Sequence, residues 1–383
     1  MKILYDYQAF EMQTHGGVSR CFAEIYSHLP NNIEATIGIK KTDNEYLLSK
    51  GFKHWGPTYN RLLSSYPFSH DTLLFPIYHK IISRYCQKRM AKNHKYCEEL
   101  LIKKSFDIFH PTFFDDWFLD YLGNTPFVLT IHDMIPELFP KYFRNNTKQI
   151  VMKRKLAPLA SKIIAVSENT KKDIVNILKI PQEKIDVVYH GVNECKSSFS
   201  SKSPFSNPYI LYVGDRFGYK NFVLFLKSFA YIIKKHKELI LVCTGMPFNK
   251  EELVLIKELG LQSCIVQKYI KSDQELMNLY HHAICFVYPS EYEGFGIPIL
   301  EAYQANCPVM LNKKSCFPEI AGDAALYFSM DDHTNNFGDI FIDFYNNYTT
   351  IKKQLLAKQK KRINNFSWEL SASQLADIYK TII

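Results

Sequence analysis

Two carboxylates, Glu293 and Glu301, flank a short glycine-containing loop in the second half of the chain. On one continuous helix they would point to different sides, because eight residues is about 80° past two full turns. The loop with Gly294 and Gly296 between them allows both carboxylates to converge on one ligand. Carboxylate oxygens accept hydrogen bonds from hydroxyl groups, so the spacing predicts a site for a sugar or a ribose. The alternative is a solvated surface loop.

The residues on either side of this loop indicate a strand, a tight turn and a helix. Residues 283–288 are an apolar run typical of a buried strand, which Pro289 and Ser290 end. Pro298 suits the first turn of a helix that would carry Glu301. A helix N-terminus offers free N–H groups and the positive end of the helix dipole to an anion. The segment therefore predicts a site that accepts an anion and hydroxyl groups together.

A second glycine loop lies near the start of the chain. Gly16 and Gly17 stand between a first strand at 1–7 and a helix at about 18–29. This arrangement presents backbone N–H groups to phosphate in α/β proteins. A plain turn is the alternative. No Gly-x-Gly-x-x-Gly string occurs, so the sequence does not indicate a dinucleotide site of the ordinary kind.

A third loop carries two cations. Arg216 and Lys220 follow a predicted strand at 209–213 and precede a predicted helix. The Arg side chain forks onto phosphate oxygens, whereas Lys acts as a compact point charge. We expect both to neutralise a phosphate group, and the alternative is a surface loop with two solvated cations.

Two histidines are placed at the ends of predicted strands. His110 ends a strand at 107–110, and His132 follows a buried strand at 127–131. Ligands of open α/β sheets gather outside the carboxyl ends of the strands, so we expect both histidines near a cleft. A lone His in such a position is more often structural than functional, and the residues alone leave that choice open.

Length and composition predict two α/β domains. A chain of 383 residues with 46% hydrophobic residues can bury two cores, and a Ser-, Lys- and Asn-rich stretch at 193–208 reads as the linker. Nine cysteines without a Cys-x-x-Cys pair suggest neither a zinc site nor a disulfide framework. The chain shows no signal-peptide pattern and no apolar run near the ~20 residues of a membrane span. We expect a cytoplasmic protein.

The net charge of +9 is concentrated in one segment. Residues 77–104 contain eight Lys or Arg against two Glu, with apolar residues at roughly helical spacing. A basic amphipathic helix of this kind can lie on an anionic membrane surface, so a peripheral position on the inner face of the cytoplasmic membrane is one expectation. An ordinary surface helix is the alternative. Nucleic acid is disfavoured because no binding motif accompanies the charge.

Several strings resemble one family. The string PSEYEGFGIPILEA at 289–302 resembles the signature of the GT4-type retaining glycosyltransferases, with TIHDMIP, GDRFGYKN and GGVSR as further matches. The resemblance implies an α/β protein of the GT-B fold, with two Rossmann-like domains that face each other across a cleft. The implied units are an acceptor-side domain at 1–195, a nucleotide-sugar-binding domain at 196–365, and a C-terminal helix at 366–383 that packs back on the first domain.

The resemblance also implies a role for each candidate site residue, all as non-covalent contacts to the donor. His132 and Glu293 would lie at the reacting centre, and Phe295 and Gly294 would contact the donor sugar. The donor diphosphate would be bound by Arg216, Lys220, Gly17, Gly296 and Ile297. The ribose and base would be contacted by Glu301, Tyr269 and Ile270.

The implied function is transfer of a hexose, with GDP-mannose favoured as donor, to a lipid-linked or oligosaccharide hydroxyl in bacterial surface-polysaccharide (O-antigen or capsule) synthesis. The sequence has no Asp-x-Asp string that would hold a metal, so we expect neither a metal nor a cofactor and charge stabilisation by side chains and N–H groups. A nucleotide-sugar epimerase of the same fold and a non-catalytic membrane-surface subunit are the alternatives. Residues 42–104 show no resemblance and are expected to hold much of the acceptor specificity.

Overall fold

The computed structural model describes residues 1–56, 75–143, 148–193, 199–330 and 336–383. Its strands form two separate sets of parallel strands, one in each half of the chain, with helices packed on them. Fully buried strands such as Tyr209–Tyr212 and Cys285–Tyr288 are continuous apolar runs, as expected where helices cover both faces of a parallel sheet.

The first set of strands contains two three-stranded parallel sheets, in the orders β2-β1-β3 and β4-β5-β6. A single parallel bridge between Phe109 and Phe127 joins them edge to edge. The strands are β1 (Lys2–Tyr5), β2 (Glu34–Ile37), β3 (Ile108–His110), β4 (Val128–Ile131), β5 (Lys162–Ala165) and β6 (Ile185–Val187).

The second set is one six-stranded parallel sheet in the order β12-β11-β10-β7-β8-β9. The chain runs outward in one direction from β7 and in the other from β10, so the order reverses between these two neighbours. The strands are β7 (Tyr209–Tyr212), β8 (Ile240–Thr244), β9 (Ile265–Lys268), β10 (Cys285–Tyr288), β11 (Val309–Asn312) and β12 (Leu326–Phe328).

The helices alternate with the strands in both halves. Those of the first half are α1 (Gln8–Met12), α2 (Gly17–His28), α3 (Glu45–Leu48), α4 (Phe75–Lys103), α5 (Leu119–Leu122), α6 (Ile135–Leu138), α7 (Lys148–Leu159) and α8 (Glu168–Leu178). Those of the second half are α9 (Phe222–Lys235), α10 (Lys250–Glu258), α11 (Asp273–His282), α12 (Ile297–Gln304), α13 (Phe317–Ala321), α14 (Asn336–Asn346), α15 (Tyr348–Arg362) and α16 (Trp368–Lys380).

The C-terminal helix α16 packs on the first half of the chain, which confirms the predicted crossing. Trp368 and Tyr379 lie in the same buried cluster as residues of β1 and α2. The Tyr379 hydroxyl is 2.8 Å from the Tyr5 hydroxyl and 2.6 Å from the His110 Nδ1. His110 is therefore a buried structural residue that holds this helix, and burial lowers its pKa to about 3.

Some expectations fall outside the described residues. The predicted domain boundary at 195 lies in the undescribed stretch 194–198, and much of the segment expected to hold acceptor specificity lies in 57–74. The predicted basic helix at 77–104 is confirmed as α4 (Phe75–Lys103). None of the helices in the described parts of the chain is both long and apolar enough to cross a membrane.

Candidate active site

The loops that follow β7 and β10 meet at the point where the strand order of the second sheet reverses. In open α/β sheets this reversal opens a crevice for ligands beyond the carboxyl ends of the strands. Two hydrogen bonds hold the loops together: the Glu291 N–H donates to the Tyr219 carbonyl over 2.8 Å, and the Asn221 side-chain amide donates to the Pro289 carbonyl over 3.1 Å. The predicted Arg216–Lys220 loop and the predicted Glu293 loop are therefore one structural unit.

Lys220 and Glu293 form an ion pair inside this unit, with 2.5 Å between the Lys220 Nζ and the Glu293 Oε1. Glu293 is buried, and the Lys220 side chain is 16% exposed. Burial on its own lowers the pKa of Lys220, but the negative charge of Glu293 outweighs it and raises the pKa above its ordinary value. The lysine is therefore charged at neutral pH, and the switch point holds a cation beside a carboxylate.

Gly294 brings this unit against the first half of the chain. A Cβ on Gly294 would lie 1.9 Å from the His132 carbonyl oxygen, which no side chain can do. The Ser167 hydroxyl, which also caps α8, donates to the Gly294 carbonyl over 2.7 Å. Ser167 therefore links the start of α8 to the Gly294 loop of the other half of the chain. Glycine is needed here for a close approach and not for a positive φ.

His132 lies beside this contact as a neutral imidazole. Burial first, and then the positive charge of Lys153, lowers the pKa of His132 to about 4. Its ring stacks on His190, with 5.6 Å between the ring centres. Its Nε2 atom is closed to solvent and has no hydrogen-bond partner among the described residues. A buried polar atom without a partner is costly, and because this atom is closed to solvent, a ligand in the cleft reaches it only after neighbouring groups move.

A buried ion pair supports the His132 loop from behind. Lys153 of α7 and Glu137 of α6 are both almost completely buried, with 2.8 Å between the Lys153 Nζ and the Glu137 Oε2. The same ammonium donates to the Asp133 carbonyl over 3.0 Å. Removing charges from water is costly, and the pairing of Lys153 with Glu137 offsets part of that cost behind the His132 loop. It fixes the backbone next to His132 and places a positive charge near its ring.

Two helix N-termini, one from each half of the chain, face each other in the cleft. A Cβ on Gly17, the first residue of α2, would lie 3.9 Å from the Cδ1 of Ile297, the first residue of α12. Gly296 precedes α12 with a φ of 92°, which confirms the predicted use of glycine at this corner. Converging helix N-termini favour a bound anion.

Glu301 lies one turn into α12 and pairs with Arg20 of α2, with 2.7 Å between the Arg20 NH1 and the Glu301 Oε1. Next to this pair, the cleft opens to a volume of about 1140 Å³. Residues of both halves line it, including His15, Tyr46, Gly214, Thr244, Tyr269, Ile270 and Asp273. The structure thus places the predicted base residues Tyr269 and Ile270 along this cavity, whereas the predicted ribose residue Glu301 is not among its lining residues.

The structure does not bring Arg216 into this cluster. Its Nε donates to the Glu252 Oε1 over 2.8 Å, and its NH2 donates to the Met246 and Pro247 carbonyls over 2.7 Å and 3.0 Å. Glu252 also closes a capping box with Asn249 at the start of α10, a helix that the sequence analysis did not predict. In this structure Arg216 is therefore occupied by protein acceptors, and its contact with a phosphate stays a prediction.

Phe295 is also placed differently from the expectation. Its ring is buried between the two halves of the chain, 4.9 Å from the His190 ring and 5.9 Å from the Phe366 ring. The ring is therefore part of the core that joins the halves, and only the backbone at Phe295 and Gly294 borders the cleft.

Sequence reasoning missed several residues of the site. Arg20, Lys153 and His190 acquire their roles from contacts across the fold, with Glu301, Glu137 and His132 respectively. Arg20 alone had an available signal, because it lies in the GGVSR string that the analysis quoted. Nothing in the sequence around Lys153 distinguishes it from the other lysines of its helix.

The fold and site together define a class, namely two-domain α/β proteins of the GT-B type with a charged cleft between the domains. Two family models match nearly the whole chain: "Glycosyltransferase Family 4" matches residues 15–195 and "Glycosyl transferases group 1" matches residues 194–363. The chain belongs to the group 1, family 4 glycosyltransferases.

Two curated relatives are O-antigen enzymes by name. The O-antigen chain mannosyltransferase RfbU of Salmonella typhimurium is 32% identical, over 55% of this chain and 62% of its own length. The O-antigen chain mannosyltransferase B of Escherichia coli is 26% identical, over 67% of this chain and 70% of its own length. The chain thus aligns with less than two thirds of the Salmonella protein.

Among solved structures, Anabaena HepE in complex with UDP and glucose superposes with a TM-score of 0.70. It is 17% identical and covers 99% of both chains, so the likeness supports the fold alone.

The charge of Lys153 should be visible in the titration of His132. In the double variant Lys153→Met/Glu137→Gln, which leaves no unpaired buried charge, we expect the pKa of His132 to rise from about 4. It should stay below its ordinary ~6.5, because burial, the larger cause, remains. NMR titration of the imidazole resonances measures this shift.

The matched control is Lys155→Met, which removes an exposed lysine from the same helix α7. We expect it to leave the pKa of His132 unchanged. If the double variant titrates within about 0.3 pH units of the wild type, the electrostatic link between Lys153 and His132 is wrong.

Proposed function

We propose that the protein is a retaining glycosyltransferase that moves a hexose from a nucleotide-diphosphate sugar to an acceptor hydroxyl. The observation that carries this proposal is the Lys220–Glu293 ion pair at the switch point of the second sheet, next to Gly294, which lies against the backbone of His132. A cation there suits a diphosphate leaving group, and a carboxylate beside it suits sugar hydroxyls. The names of the two O-antigen relatives support mannose as the hexose, GDP-mannose as the donor and surface polysaccharide as the product.

The diphosphate is proposed to bind Lys220 and the two facing helix N-termini. Gly17 begins one of these helices, and Gly296 and Ile297 begin the other. Lys220 is already charged beside the cleft. When the donor binds, the Lys220 ammonium group either exchanges Glu293 for the diphosphate or contacts both anions. Arg216 is included on the condition that its guanidinium exchanges Glu252 for a phosphate oxygen.

The rest of the donor is proposed to run along the cleft. Glu301 accepts hydrogen bonds from the ribose, and Tyr269 and Ile270 border the base. At the other end Glu293 is proposed to orient hydroxyls of the sugar, and His132 is proposed to make a further hydrogen bond near the reacting carbon. The backbone at Gly294 and Phe295 borders this end.

Chemistry at the anomeric carbon follows from these positions. The bond between C1 of the sugar and the diphosphate oxygen breaks, and its electron pair stays with the diphosphate. The acceptor oxygen bonds to C1 from the same face, and its proton passes to the departing phosphate oxygen. Lys220 and the helix N-termini stabilise the charge that develops on the leaving group, and Glu293 stabilises the positive charge on the sugar. Transfer by this arrangement is proposed to need no metal ion.

Donor binding tests the proposal. Calorimetric titration with GDP-mannose, UDP-glucose, UDP-GlcNAc and dTDP-rhamnose should show binding of one nucleotide class, with EDTA as well as with Mg²⁺. Lys220→Ala should weaken that binding about 10- to 100-fold, the loss expected for one charge-assisted hydrogen bond. Glu293→Gln should retain binding but lower the turnover rate about 100-fold or more, because its charge acts in the transition state.

Lys227→Ala is the matched control, because Lys227 is an exposed lysine on the helix that follows Lys220. It should bind the donor as the wild type does. The proposal fails if none of these nucleotides binds to the folded wild type, or if Lys220→Ala binds as tightly as Lys227→Ala.

The acceptor is proposed to be a lipid-linked or oligosaccharide glycan, reached from the cytoplasmic face of the membrane. Helix α4 supports this, because Ile77 and Ile81 point into solvent with 58% and 60% of their surface exposed. Exposed Tyr85 follows Ile81 at the same four-residue spacing, so the three residues form an apolar stripe. Lys80 and Arg84 lie beside this stripe. An apolar stripe bordered by cations is typical of helices that lie on anionic lipid.

Vesicle sedimentation tests this placement. The wild type should bind vesicles with phosphatidylglycerol more tightly than neutral vesicles, and added salt should weaken the binding. Ile77→Ser/Ile81→Ser should reduce it, since each buried apolar side chain contributes about 1.5–3 kcal/mol. The control Leu253→Ser/Val254→Ser changes two equally exposed residues on α10 and should have no effect. Equal binding of all three proteins would contradict the placement.

A further inference from the structure

Arg20 makes an ion pair from one domain to the other at the donor cleft. It lies in α2, one turn after the Gly16–Gly17 loop, and its partner Glu301 lies in α12. The two side chains are 16% and 14% exposed, with 2.7 Å between the Arg20 NH1 and the Glu301 Oε1. The contact is therefore largely screened from solvent, where an ion pair is stronger than at the surface.

The two oxygens of Glu301 are in different situations. Oε1 accepts from Arg20. Oε2 is 3.5 Å from the Tyr280 hydroxyl, which is too long for a good hydrogen bond. A carboxylate can accept several hydrogen bonds, so one oxygen is held by the opposite domain while the other keeps capacity for a ligand.

Arg20 keeps its charge in this position. Burial on its own lowers the pKa of Arg20, but the negative charge of Glu301 outweighs it and raises the pKa. The guanidinium is planar, and its donors are held in a fixed fork. It therefore restricts the orientation of the Glu301 carboxylate more than a flexible ammonium group would.

A second, largely exposed contact crosses the same cleft, and its carboxylate raises the pKa of His15. The His15 Nε2 is 3.4 Å from the Asp273 Oδ1 at the start of α11. His15 and Asp273 also line the cavity that contains Tyr269 and Ile270. The segment from His15 to Arg20 thus contacts the second domain on the side where the nucleoside is proposed to bind.

We propose that Arg20 is a positioning residue for the donor: it holds Glu301 so that the free carboxylate oxygen accepts from a ribose hydroxyl. This inference rests on the proposed function. Because Arg20 belongs to the first domain and Glu301 to the second, full recognition of the ribose requires the two domains to be in contact. The nucleoside is then bound tightly only when Arg20 and Glu301 are in contact.

The test compares nucleotides with and without ribose hydroxyls. Calorimetry measures GDP against 2′,3′-dideoxy-GDP, and UDP against 2′,3′-dideoxy-UDP, on the wild type, Arg20→Met and Arg20→Lys. We expect Arg20→Met to weaken binding of the preferred ribonucleotide about 10-fold or more, the loss of about one charge-linked hydrogen bond. For its dideoxy analogue the loss should be below about threefold, because the hydroxyls that Glu301 accepts from are missing. Arg20→Lys should recover part of the affinity.

Enzyme kinetics provide a second test of the role of Arg20. With the donor varied at saturating acceptor, Arg20→Met should raise the KM for the donor by a similar factor while kcat changes by less than about threefold, since a ribose contact is made equally in the ground and transition states. The control is Lys50→Met, which removes a partly buried ion pair between Lys50 and Glu24 on the same helix α2. It should leave KM unchanged.

Equal losses of affinity for the ribose and dideoxy nucleotides in Arg20→Met, or no loss for either, would overturn this inference and leave the proposed function intact. Arg20→Lys gives the same comparison if the Met variant does not fold. Failure of the folded wild type to bind GDP and UDP would instead overturn the proposed function, and this inference with it.

Discussion

The close approach of Gly294 to the His132 carbonyl is the constraint on which the site depends. No Cβ fits between them, so two loops from different domains can lie together only because one residue has no side chain. The Ser167 hydroxyl holds the Gly294 carbonyl in the same place. Two further juxtapositions accompany this contact: Gly17 lies opposite Ile297, and Arg20 lies against Glu301.

The cleft balances its own charges. Lys220 pairs with Glu293, Arg20 with Glu301, and His15 with Asp273, so three basic side chains of the cleft already lie beside carboxylates. Pairing offsets part of the cost of holding charges away from water. The neighbouring histidines add no positive charge, because burial lowers the pKa of both His132 and His190. An incoming diphosphate thus meets fixed cations whose carboxylate partners remain free to bind hydroxyl groups.

The parts of this account that the sequence predicted are local. Apolar runs and glycine loops indicated the strands, the helix starts at Gly17 and Ile297, and the left-handed Gly296, all of which the structure has. The parts that it could not predict depend on contacts between distant residues. Arg216 is held by Glu252 and by carbonyls of the next loop, the Phe295 ring is enclosed by His190 and Phe366, and Arg20 finds Glu301 across 281 residues. Spacing along the chain carries no information about such pairs.

The central claim, that the reacting centre exists only where the two domains touch at Gly294, is tested most directly by Gly294→Ala. The account predicts that transfer turnover falls about 100-fold or more, since small displacements of reacting groups cost this much, while nucleoside diphosphate binding falls only about 10-fold, the loss expected when Arg20 no longer holds Glu301. Gly260→Ala also adds a Cβ, after α10, where the space is open but φ is 68°; it controls for backbone strain away from the cleft and should keep both. Turnover by Gly294→Ala within about threefold of the wild type would contradict the claim.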